Sequence, residues 1–586
     1  MRLEDLGLIG NCRISALVSR EGEIVWCCLP RFDSEPVFST LLDLPGGGFF
    51  RVAPAQGGAG RQRYLPNTNV LETTFEATDG RFRILDFAPR WIEGERALNP
   101  PRLVRLVEPL EGEPLVRVAC EPRLGWSRAR PSVRVFTDHL AFEGFAAPME
   151  LAFGPGRGFA PEASPLRGRA AFVLGWGDLP AGDPLAQSDR WLDATVRYWR
   201  RWVRHCNIPP LFQAEVIRSA LALKLHCFEQ TGAIVAAMTT SIPEAPGSGR
   251  TWDYRYCWLR DASYVLAALR RLGHFEEREH FVRYLLEIAA ANPALDLAPL
   301  YRVDGTTDLE ERVLDDWNGY QGERPVRVGN AAVSHRQNDV FGEMVLALAP
   351  VWMDERFHEE RTPEALDLLE RMARKAIAVA GTPDAGIWEY RTGWRPQTFS
   401  SLMSWAGADR MARVAEAHAP ERAGWYRGEA ERIRQEMIAR AWNPELGSFA
   451  ASYGGTDLDA ALLQMAPLHF LDRDDRRLHA TVDAVRTRLA RDGWLFRYHA
   501  DEFGASTVAF ILCTFWLVEA LAAIGRQAEA AHVFERTRLA LSPLGLLSED
   551  YETSSLRMWG NFPQAYSHVG LIHAAFSASP RWAELM

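Results

Sequence analysis

The chain begins with short hydrophobic runs that turn residues interrupt at strand-like intervals. The runs are rich in β-branched and aromatic residues, and glycine, proline and aspartate stand between them. This pattern is typical of an antiparallel β-sandwich, which we predict to span residues 1–184. The clearest predicted strands are Glu23–Leu29, Gly48–Val52, Thr68–Glu76 and Leu103–Val107.

The hydrophobic period changes to a helical one near residue 185. Apolar residues between Gln187 and Cys206 follow one stripe, which predicts a helical linker over residues 185–210. From 211 to 586 the pattern predicts twelve successive helices. They are expected near 212–229, 259–272, 276–292, 336–352, 362–380, 399–417, 420–441, 457–466, 473–490, 506–524, 526–541 and 565–578.

Twelve helices can form six hairpins and close into an (α/α)6 toroid. A solenoid is the alternative, but the sequence contains no repeat of roughly 34 or 40 residues. The expected fold is therefore a multidomain α+β chain, with an N-terminal antiparallel β-sandwich followed by an (α/α)6 six-hairpin barrel. Residues 211–586 would form the catalytic barrel.

Charge and composition exclude several classes of function. The chain has 66 basic and 76 acidic residues and a formal charge of -10, which argues against a nucleic-acid partner. No apolar run is long enough for a membrane span, and the N-terminus MRLEDLGLIGNCRIS lacks the features of a signal peptide. The eight cysteines have no metal-ligand spacing, so free thiols are expected. We therefore expect a cytoplasmic protein that uses no metal or other cofactor.

Two long loops in the helical half combine aromatic rings with charged groups. Ser248–Asp261 (SGRTWDYRYCWLRD) and Leu314–Ala332 (LDDWNGYQGERPVRVGNAA) have the composition that sugar binding needs, with flat apolar faces beside hydroxyl-binding charges. The alternative is that the first loop begins a helix with structural ion pairs and that the second is an irregular connector. From residue types alone both interpretations stay open.

Two further loops present carboxyl groups. Glu389 stands between Trp388 and Tyr390, where desolvation would raise the pKa of a general acid. Glu549 is the first acidic residue of the loop Gly545–Glu552, where an ionised carboxylate could take a proton from water. The local alternatives are an exposed glutamate beside packed rings and a solvated acidic turn before the last helix.

Several long segments together resemble bacterial glycoside hydrolases of family 15, the glucoamylase and trehalase family. The resemblance covers most of the chain. It is carried by Leu3–Ser34, Thr231–Glu244, Trp252–Asp261 (WDYRYCWLRD), Gly319–Ala332, Gly386–Glu389 (GIWE) and Gly560–Ile572 (GNFPQAYSHVGLI).

The resemblance implies an exo-acting, inverting α-glucoside hydrolase that releases β-glucose. It implies that Glu389 is the general acid and that Glu549 is the general base. It also implies that Arg260 and Asp261 bind the terminal glucose. An inverting enzyme holds its two carboxyls roughly 6.5–9.5 Å apart with water between them. An indole-rich pocket would keep one acid protonated and leave the other ionised. The other residues expected in the pocket are Trp252, Trp317, Tyr320, Trp388 and Arg324.

Alternatives remain at this stage. Asp550 or Glu552 could replace Glu549, and the chain could be an inverting glycoside phosphorylase or an inactive glycan-binding protein. Two segments depart from the family pattern, namely the stretch YRTGWRPQ after Glu389 and the segment Tyr498–Phe510. The substrate is therefore left open among trehalose, maltose, isomaltose and longer glucans. A small disaccharide or oligosaccharide is the expected partner, and the oligomeric state is not predicted.

Overall fold

The computed structural model describes residues 1–153, 162–501 and 503–586. Its first part consists of two antiparallel sheets packed face to face, as predicted for a β-sandwich. One sheet runs in the order Leu6–Gly10, Ser15–Ser19, Glu23–Cys28, Phe49–Pro54, Leu115–Glu121 and Ser164–Pro165, with Pro36–Phe38 paired to the third strand. The other runs in the order Ser132–Val135, His139–Glu143, Met149–Ala152, Ala170–Trp176, Arg102–Gly112, Gly80–Phe87, Leu71–Ala77 and Arg61–Tyr64.

The core of the sandwich forms from alternate residues of both sheets. Ile24 and Phe50 of the first sheet and Phe82 and Leu103 of the second belong to one buried cluster. The period of two in the sequence places these side chains on the inner faces. All four predicted strands are confirmed, with ends that differ by a few residues.

The predicted linker is a long helix, α1, which spans Pro184–Arg204. Asp183 caps it by accepting hydrogen bonds from the backbone amides of Leu185 and Ala186, and Pro184 occupies the first turn. Trp191 packs on the outer face of the second sheet, whereas Trp199 joins the core of the helical part. The helix therefore buries its apolar stripe against both halves of the molecule.

The helical half confirms the predicted succession of helices. One predicted helix, 457–466, is instead a 3-10 segment, Ala460–Met465. The α-helices are α2 Gln213–His226, α3 Leu259–Arg271, α4 Glu276–Ala291, α5 Asp339–Leu348, α6 Pro350–Met353, α7 Pro363–Val379, α8 Thr398–His418, α9 Pro420–Ala441, α10 Arg476–Leu489, α11 Ile511–Ala523, α12 Gln527–Thr537, α13 Ala565–Ala578 and α14 Trp582–Leu585.

The helices close into an (α/α)6 toroid. The inner ring runs through α3, α5, α8, the 3-10 segment, α11 and α13, and α13 packs against α3 to complete it. The helices α2, α4, α7, α9, α10 and α12 alternate with them along the chain and form the outer layer. The inner helix α11 is buried on nearly all sides, as its uniformly apolar sequence requires.

Short hairpins project from the loops that join the helices. They carry the segments in which the sequence placed its candidate chemistry. The strand groups are Cys227–Phe228 with Ala233–Ile234, Cys257–Trp258 with Leu300–Tyr301, Arg312–Leu314 with Val326–Val328, Pro383–Asp384 with Arg395–Pro396, Trp442–Asn443 with Ser448–Phe449, Ala490–Arg491 with Trp494–Leu495, and Ala509–Phe510 with Asp550–Glu552 and Arg557–Trp559.

A buried charge cluster joins the sandwich to the toroid. Arg90 of the sandwich forms an ion pair with Glu229, and Lys224 of α2 lies 2.7 Å from both Glu229 and Glu277. Buried charges are costly unless each is paired. Because the members come from both halves, the cluster fixes how the sandwich sits on the toroid.

Two further predictions concern the molecule as a whole. All eight cysteines are free thiols, and seven of them are buried. Within the described part of the chain, no helix is both long enough and apolar enough for a membrane crossing.

Candidate active site

A cavity opens at the end of the toroid where several inner helices begin. Asp261 in the first turn of α3 and Tyr566 in the first turn of α13 line its floor, and Phe510 precedes α11. The loops supply the walls. The other lining residues are Ala236, Glu244, Arg250, Trp252, Tyr254, Trp258, Arg260, Asn330, Ala332, His335, Ile387, Trp388, Glu389, Tyr390, Arg391, Arg497, Tyr498, Asp501, Phe503, Glu549 and Gln564.

Glu389 reaches this cavity from the hairpin between α7 and α8. One of its oxygens, Oε1, accepts hydrogen bonds from Trp258 Nε1 at 2.6 Å, Gln337 Nε2 at 2.9 Å and Arg260 Nη2 at 3.4 Å. Its backbone has a φ of 61°. Non-glycine residues rarely adopt this left-handed conformation, and such strain concentrates at functional sites. The protein therefore holds this carboxyl in one orientation.

Arg260 and Asp261 lie side by side on the floor of the cavity. Arg260 donates to the Tyr566 hydroxyl and to Gln337 Oε1, each at 2.9 Å, and lies 3.6 Å from Asp261. Burial raises the pKa of Asp261 to about 7, although the neighbouring guanidinium opposes this shift. The pair offers fixed donors and acceptors for sugar hydroxyls.

Glu549 lies in the same cavity and is 1% exposed. Tyr254 donates its hydroxyl to Oε1 at 3.1 Å, and the backbone amide of Asn561 donates to Oε2 at 3.2 Å. Burial, and secondly the negative charge of Glu244, raise the pKa of Glu549 to about 8, while Arg497 acts in the opposite direction. The sequence analysis expected this carboxyl to stay ionised. The structure shows that deep burial beside a second carboxylate disfavours the charged form.

The two neighbouring carboxyls that could replace Glu549 do not line the cavity. Asp550 follows Glu549 at the start of a strand, where successive side chains point to opposite faces. Glu552 accepts a hydrogen bond from Trp559 Nε1 at 3.3 Å, away from the cavity. Of these three acidic residues, Glu549 is the one that lines the cavity.

Glu389 and Glu549 are connected through an aromatic pair. Trp258, which donates to Glu389, and Tyr254, which donates to Glu549, meet edge to face with ring centroids 5.3 Å apart. Each carboxyl is thus hydrogen-bonded to a different ring of the pair. The cavity consequently presents two separate carboxyl groups to a ligand.

Glu244 and Arg497 are site residues that the sequence analysis missed. Arg497 donates to Glu244 at 2.7 Å and lies 3.6 Å from Asp550, and Trp252 Nε1 donates to Glu244 at 3.0 Å. Both residues are buried. The position of Glu244 at the end of the long segment Thr231–Glu244 was a usable signal, whereas Arg497 lies in a segment without a recognisable motif.

Two of the three tryptophans expected in the pocket, Trp252 and Trp388, line it. Trp252 lies between the guanidinium groups of Arg327 and Arg391, which are 4.8 and 4.6 Å from its ring. Trp388 donates to Asp459 at 2.8 Å, and its ring contacts Phe510 edge to face. Each indole is therefore held in a fixed orientation.

Trp317, Tyr320 and Arg324 do not line the cavity, contrary to the expectation. Trp317 donates to the carbonyl of Trp126 in the sandwich at 3.3 Å, and Tyr320 contacts Trp559 edge to face. Arg324 is exposed and, among the described residues, donates to the Asp315 carbonyl and to Asn318 Oδ1 in its own loop. The reason is the hairpin Arg312–Leu314 with Val326–Val328, which turns this loop towards the sandwich. Its aromatic residues seal the interface between the two halves.

Other residues that line the cavity had no assigned role in the sequence analysis. Arg250 forms an ion pair with Asp501, and Phe503, which is half exposed, lies 5.2 Å from that guanidinium. His335 lines the cavity as well. His568, in contrast, is buried in the core and bonds to Ser219. Over the described ranges, no cluster of histidine, cysteine or acidic side chains has a geometry suited to a metal ion.

Two protein-family models match the two halves of this chain. The family model described as "Glycosyl hydrolases family 15" matches residues 212–576, and the model "Trehalase-like, N-terminal" matches residues 1–172. The chain belongs to glycosyl hydrolase family 15. This family 15 protein is therefore a glycoside hydrolase, as the sequence resemblance implied.

Individual relatives extend over the whole chain. A protein named "Trehalase" from Mycolicibacterium smegmatis is 33% identical and covers 98% of this chain and 90% of its own. A "Trehalase" from Thermoplasma volcanium is 32% identical, and the alignment covers 97% of this chain and 92% of that protein. The crystal structure of a bacterial glucoamylase complexed with acarbose aligns with 98% of this chain and 94% of its own chain. The sequence identity is 14% and the TM-score is 0.67. That structural likeness confirms the predicted fold, a β-sandwich followed by the (α/α)6 toroid.

Proposed function

We propose that this enzyme hydrolyses α,α-trehalose with inversion of configuration, with Glu389 as general acid and Glu549 as general base. The observation that carries the proposal is the pair of carboxyls in one cavity, each hydrogen-bonded to a different ring of the Trp258–Tyr254 pair. Two separately held carboxyls are what inverting hydrolysis requires. The near full-length relatives named trehalase support the choice of substrate.

The floor of the cavity would bind the glucose whose bond is cleaved. Arg260 and Asp261 provide donors and acceptors for its hydroxyls, and Tyr566 and Gln337 hold Arg260 in place. Trp388 would offer an apolar face to the ring. Because both halves of trehalose are α-glucosyl units, either half can enter this subsite first.

Glu389 would donate the proton. Its Oε1 already accepts three hydrogen bonds, so the proton is carried on Oε2. Transfer of that proton to the glycosidic oxygen breaks the bond from C1 and releases the second glucose with its α configuration. Glu389 is then left ionised, and the nearby Arg260 stabilises that charge.

Glu549 would activate water. In its ionised form it takes a proton from a water molecule, and the hydroxide oxygen bonds to C1 from the face opposite the leaving group. The Tyr254 hydroxyl and the Asn561 amide both donate to this carboxylate and stabilise its charge. The products are one β-glucose from the cleaved unit and one α-glucose from the leaving unit.

Proton NMR of the anomeric signals during the first minutes of turnover tests the proposal. Trehalose should give α- and β-glucose in equal amounts before mutarotation. Release of α-glucose alone would show retention and reject the two-carboxylate scheme. Turnover of maltose or isomaltose but not trehalose would reject the substrate, and production of glucose 1-phosphate would establish a phosphorylase.

A further inference from the structure

A second cavity lies on the axis of the toroid, at the end opposite the active site. Its volume is about 320 Å³. Early residues of α3 and α13, and Phe510 just before α11, face the active site, whereas later turns of these three helices line this second cavity, which we call the rear cavity. All six segments of the inner ring contribute to it, through Tyr264, Glu343, Met403, Gln464, Trp516 and Val569.

The rear cavity is separate from the catalytic one but adjacent to it. Tyr264 of the rear cavity meets Tyr566 of the active site edge to face, with ring centroids 5.5 Å apart. Trp516 likewise contacts Trp388, at 6.1 Å. An aromatic layer therefore closes the axis between the two cavities.

Four arginines line the rear cavity, namely Arg270, Arg271, Arg278 and Arg410. Arg278 is 2% exposed, and its terminal nitrogens donate only to the backbone carbonyls of Ala347 and Leu266. Its Nε has no hydrogen-bond partner within the part of the chain that the structure describes. A buried guanidinium bound only by carbonyl groups keeps an uncompensated positive charge.

The surroundings of Arg278 balance that charge only in part. Burial, and secondly the charge of Arg270, lower the pKa of Arg278 to about 9, while Asp354 acts in the opposite direction. Burial also lowers the pKa of the partly buried Arg410, although Asp409, which forms an ion pair with it, opposes the shift. Arg278 and Arg410 are thus held where water solvates them poorly, whereas Arg270 and Arg271 are exposed.

The acidic and neutral groups of the rear cavity do not cancel this charge. Burial and the nearby Asp339 raise the pKa of Glu343 well above its usual range, although Arg260 acts in the opposite direction, so the neutral form of Glu343 is favoured. Burial raises the pKa of Glu519 to about 7, and burial keeps His573 uncharged. Gln464 adds a buried amide nitrogen that lacks a partner among the described residues. The cavity is consequently positive and rich in hydrogen-bond donors.

We propose that the rear cavity binds a small organic anion with a phosphate or carboxylate head. The head would lie against Arg278, Arg410 and Gln464, because planar guanidinium groups bind such oxygens through charge-assisted hydrogen bonds. Met403 and Leu468 line the same cavity and would contact an apolar body. The volume lies at the lower end of the range of roughly 300–1,000 Å³ that small-molecule sites occupy.

Isothermal titration calorimetry on the full-length enzyme tests the proposal, with three probes at constant ionic strength. Phenyl phosphate and benzoate carry the two head groups on the same ring, and benzyl alcohol is the uncharged control. Phenyl phosphate or benzoate should bind at one site per chain, and benzyl alcohol should bind at least tenfold more weakly. The tighter of the two anions identifies the preferred head group.

Substitutions locate the binding. Arg410→Gln and the conservative Arg278→Lys should each raise Kd by about tenfold or more, since each removes a charge-assisted hydrogen bond. Arg204→Gln, at the exposed end of α1, is the matched control and should leave Kd unchanged. If Arg278→Lys does not fold, Arg410→Gln alone decides.

Two results would overturn the inference. One is the absence of binding heat for both anions at 10 mM, which is about the weakest affinity a useful site would have. The other is binding that neither arginine variant weakens, because the anion would then lie elsewhere. Glu389→Gln should keep the anion affinity of the wild type, so failure of the proposed catalytic mechanism and failure of this site are distinguishable.

Discussion

Glu389 and Glu549 are bound to the two members of a single aromatic pair. Trp258 donates to Glu389 at 2.6 Å, Tyr254 donates to Glu549 at 3.1 Å, and the two rings are 5.3 Å apart. Both rings belong to the five residues Tyr254–Trp258, which lead into α3. One short, buried segment therefore positions two carboxyls that come from distant loops.

Removal of either carboxyl should abolish most of the activity. Glu389→Gln and Glu549→Gln should each lower kcat on trehalose by roughly 10²–10⁴ or more, because each removes one proton transfer. Glu552→Gln is the control, since Glu552 belongs to the same acidic segment but does not line the cavity. Single-turnover and steady-state rates measure the effect. Near wild-type activity in either of the first two variants would remove that residue from the mechanism.

Tyr254→Phe should weaken the base without removing it. The lost hydroxyl donates to the ionised form of Glu549, so the pKa of Glu549 should rise and the acidic limb of the kcat/KM profile should move to higher pH. We expect kcat to fall about tenfold. The matched control is Tyr256→Phe, whose hydroxyl bonds to Asp253 and which does not line the cavity. A limb that stays in place would show that Tyr254 has only a packing role.

Glu244→Gln should move the same limb in the opposite direction. The negative charge of Glu244 is the second cause of the raised pKa of Glu549, which is about 8. Its removal also leaves Arg497 free to stabilise the Glu549 carboxylate, so the limb should shift by roughly one unit to lower pH. Glutamine keeps an acceptor for Trp252 Nε1. A shift to higher pH, or none, would contradict this account of the base.

Arg260→Ala should impair every substrate to the same degree. Arg260 would bind the glucose that all α-glucosides share, so kcat/KM on trehalose and on any slower substrate should fall by at least tenfold in parallel. Arg324→Ala should leave both values unchanged, because Arg324 is exposed and distant from the cavity. A loss confined to one substrate would show that Arg260 does not contact the shared unit.

The stability of the fold should decline as carboxyls beneath the site are forced to ionise. Burial, and secondly Asp339, raise the pKa of Asp384 to about 7, so the folded state holds a proton that the unfolded state releases at lower pH. This contribution is present below about pH 4 and is lost as the pH rises through about 7. Asp384→Asn mimics the protonated form. Its Tm relative to the wild type should increase by a few degrees between pH 5 and pH 8, as differential scanning fluorimetry would show.

The ionisation of Glu549 depends on residues that are far from it in sequence. Its loop and its place before Gly560 made Glu549 a candidate site residue, and the same reasoning predicted an ionised carboxylate. The raised pKa depends on Glu244, which is 305 residues away in sequence, and on burial at 1% exposure. Electrostatic environment is a property of the assembled cavity, so local sequence could not supply it.

The loop Leu314–Ala332 illustrates the opposite case. Its tryptophan, tyrosine and arginine have the composition of a sugar site, yet Trp317 packs on Trp126 of the sandwich. Composition describes what a loop could bind, whereas the direction in which its hairpin turns decides what it contacts. That direction depends on the docked sandwich.

The succession of strands and helices could be predicted from the sequence, because hydrophobic periods of 2 and 3.6 are local properties. It also supplied the segments that present Glu389, Glu549 and Arg260. The folded chain was needed to show which side chains share the cavity, that Glu244 and Arg497 belong to it, and that a second cavity lined by arginines lies behind it. These features depend on long-range packing, because closure of the ring joins α13 to α3, which are about 300 residues apart, and this contact sets burial and charge.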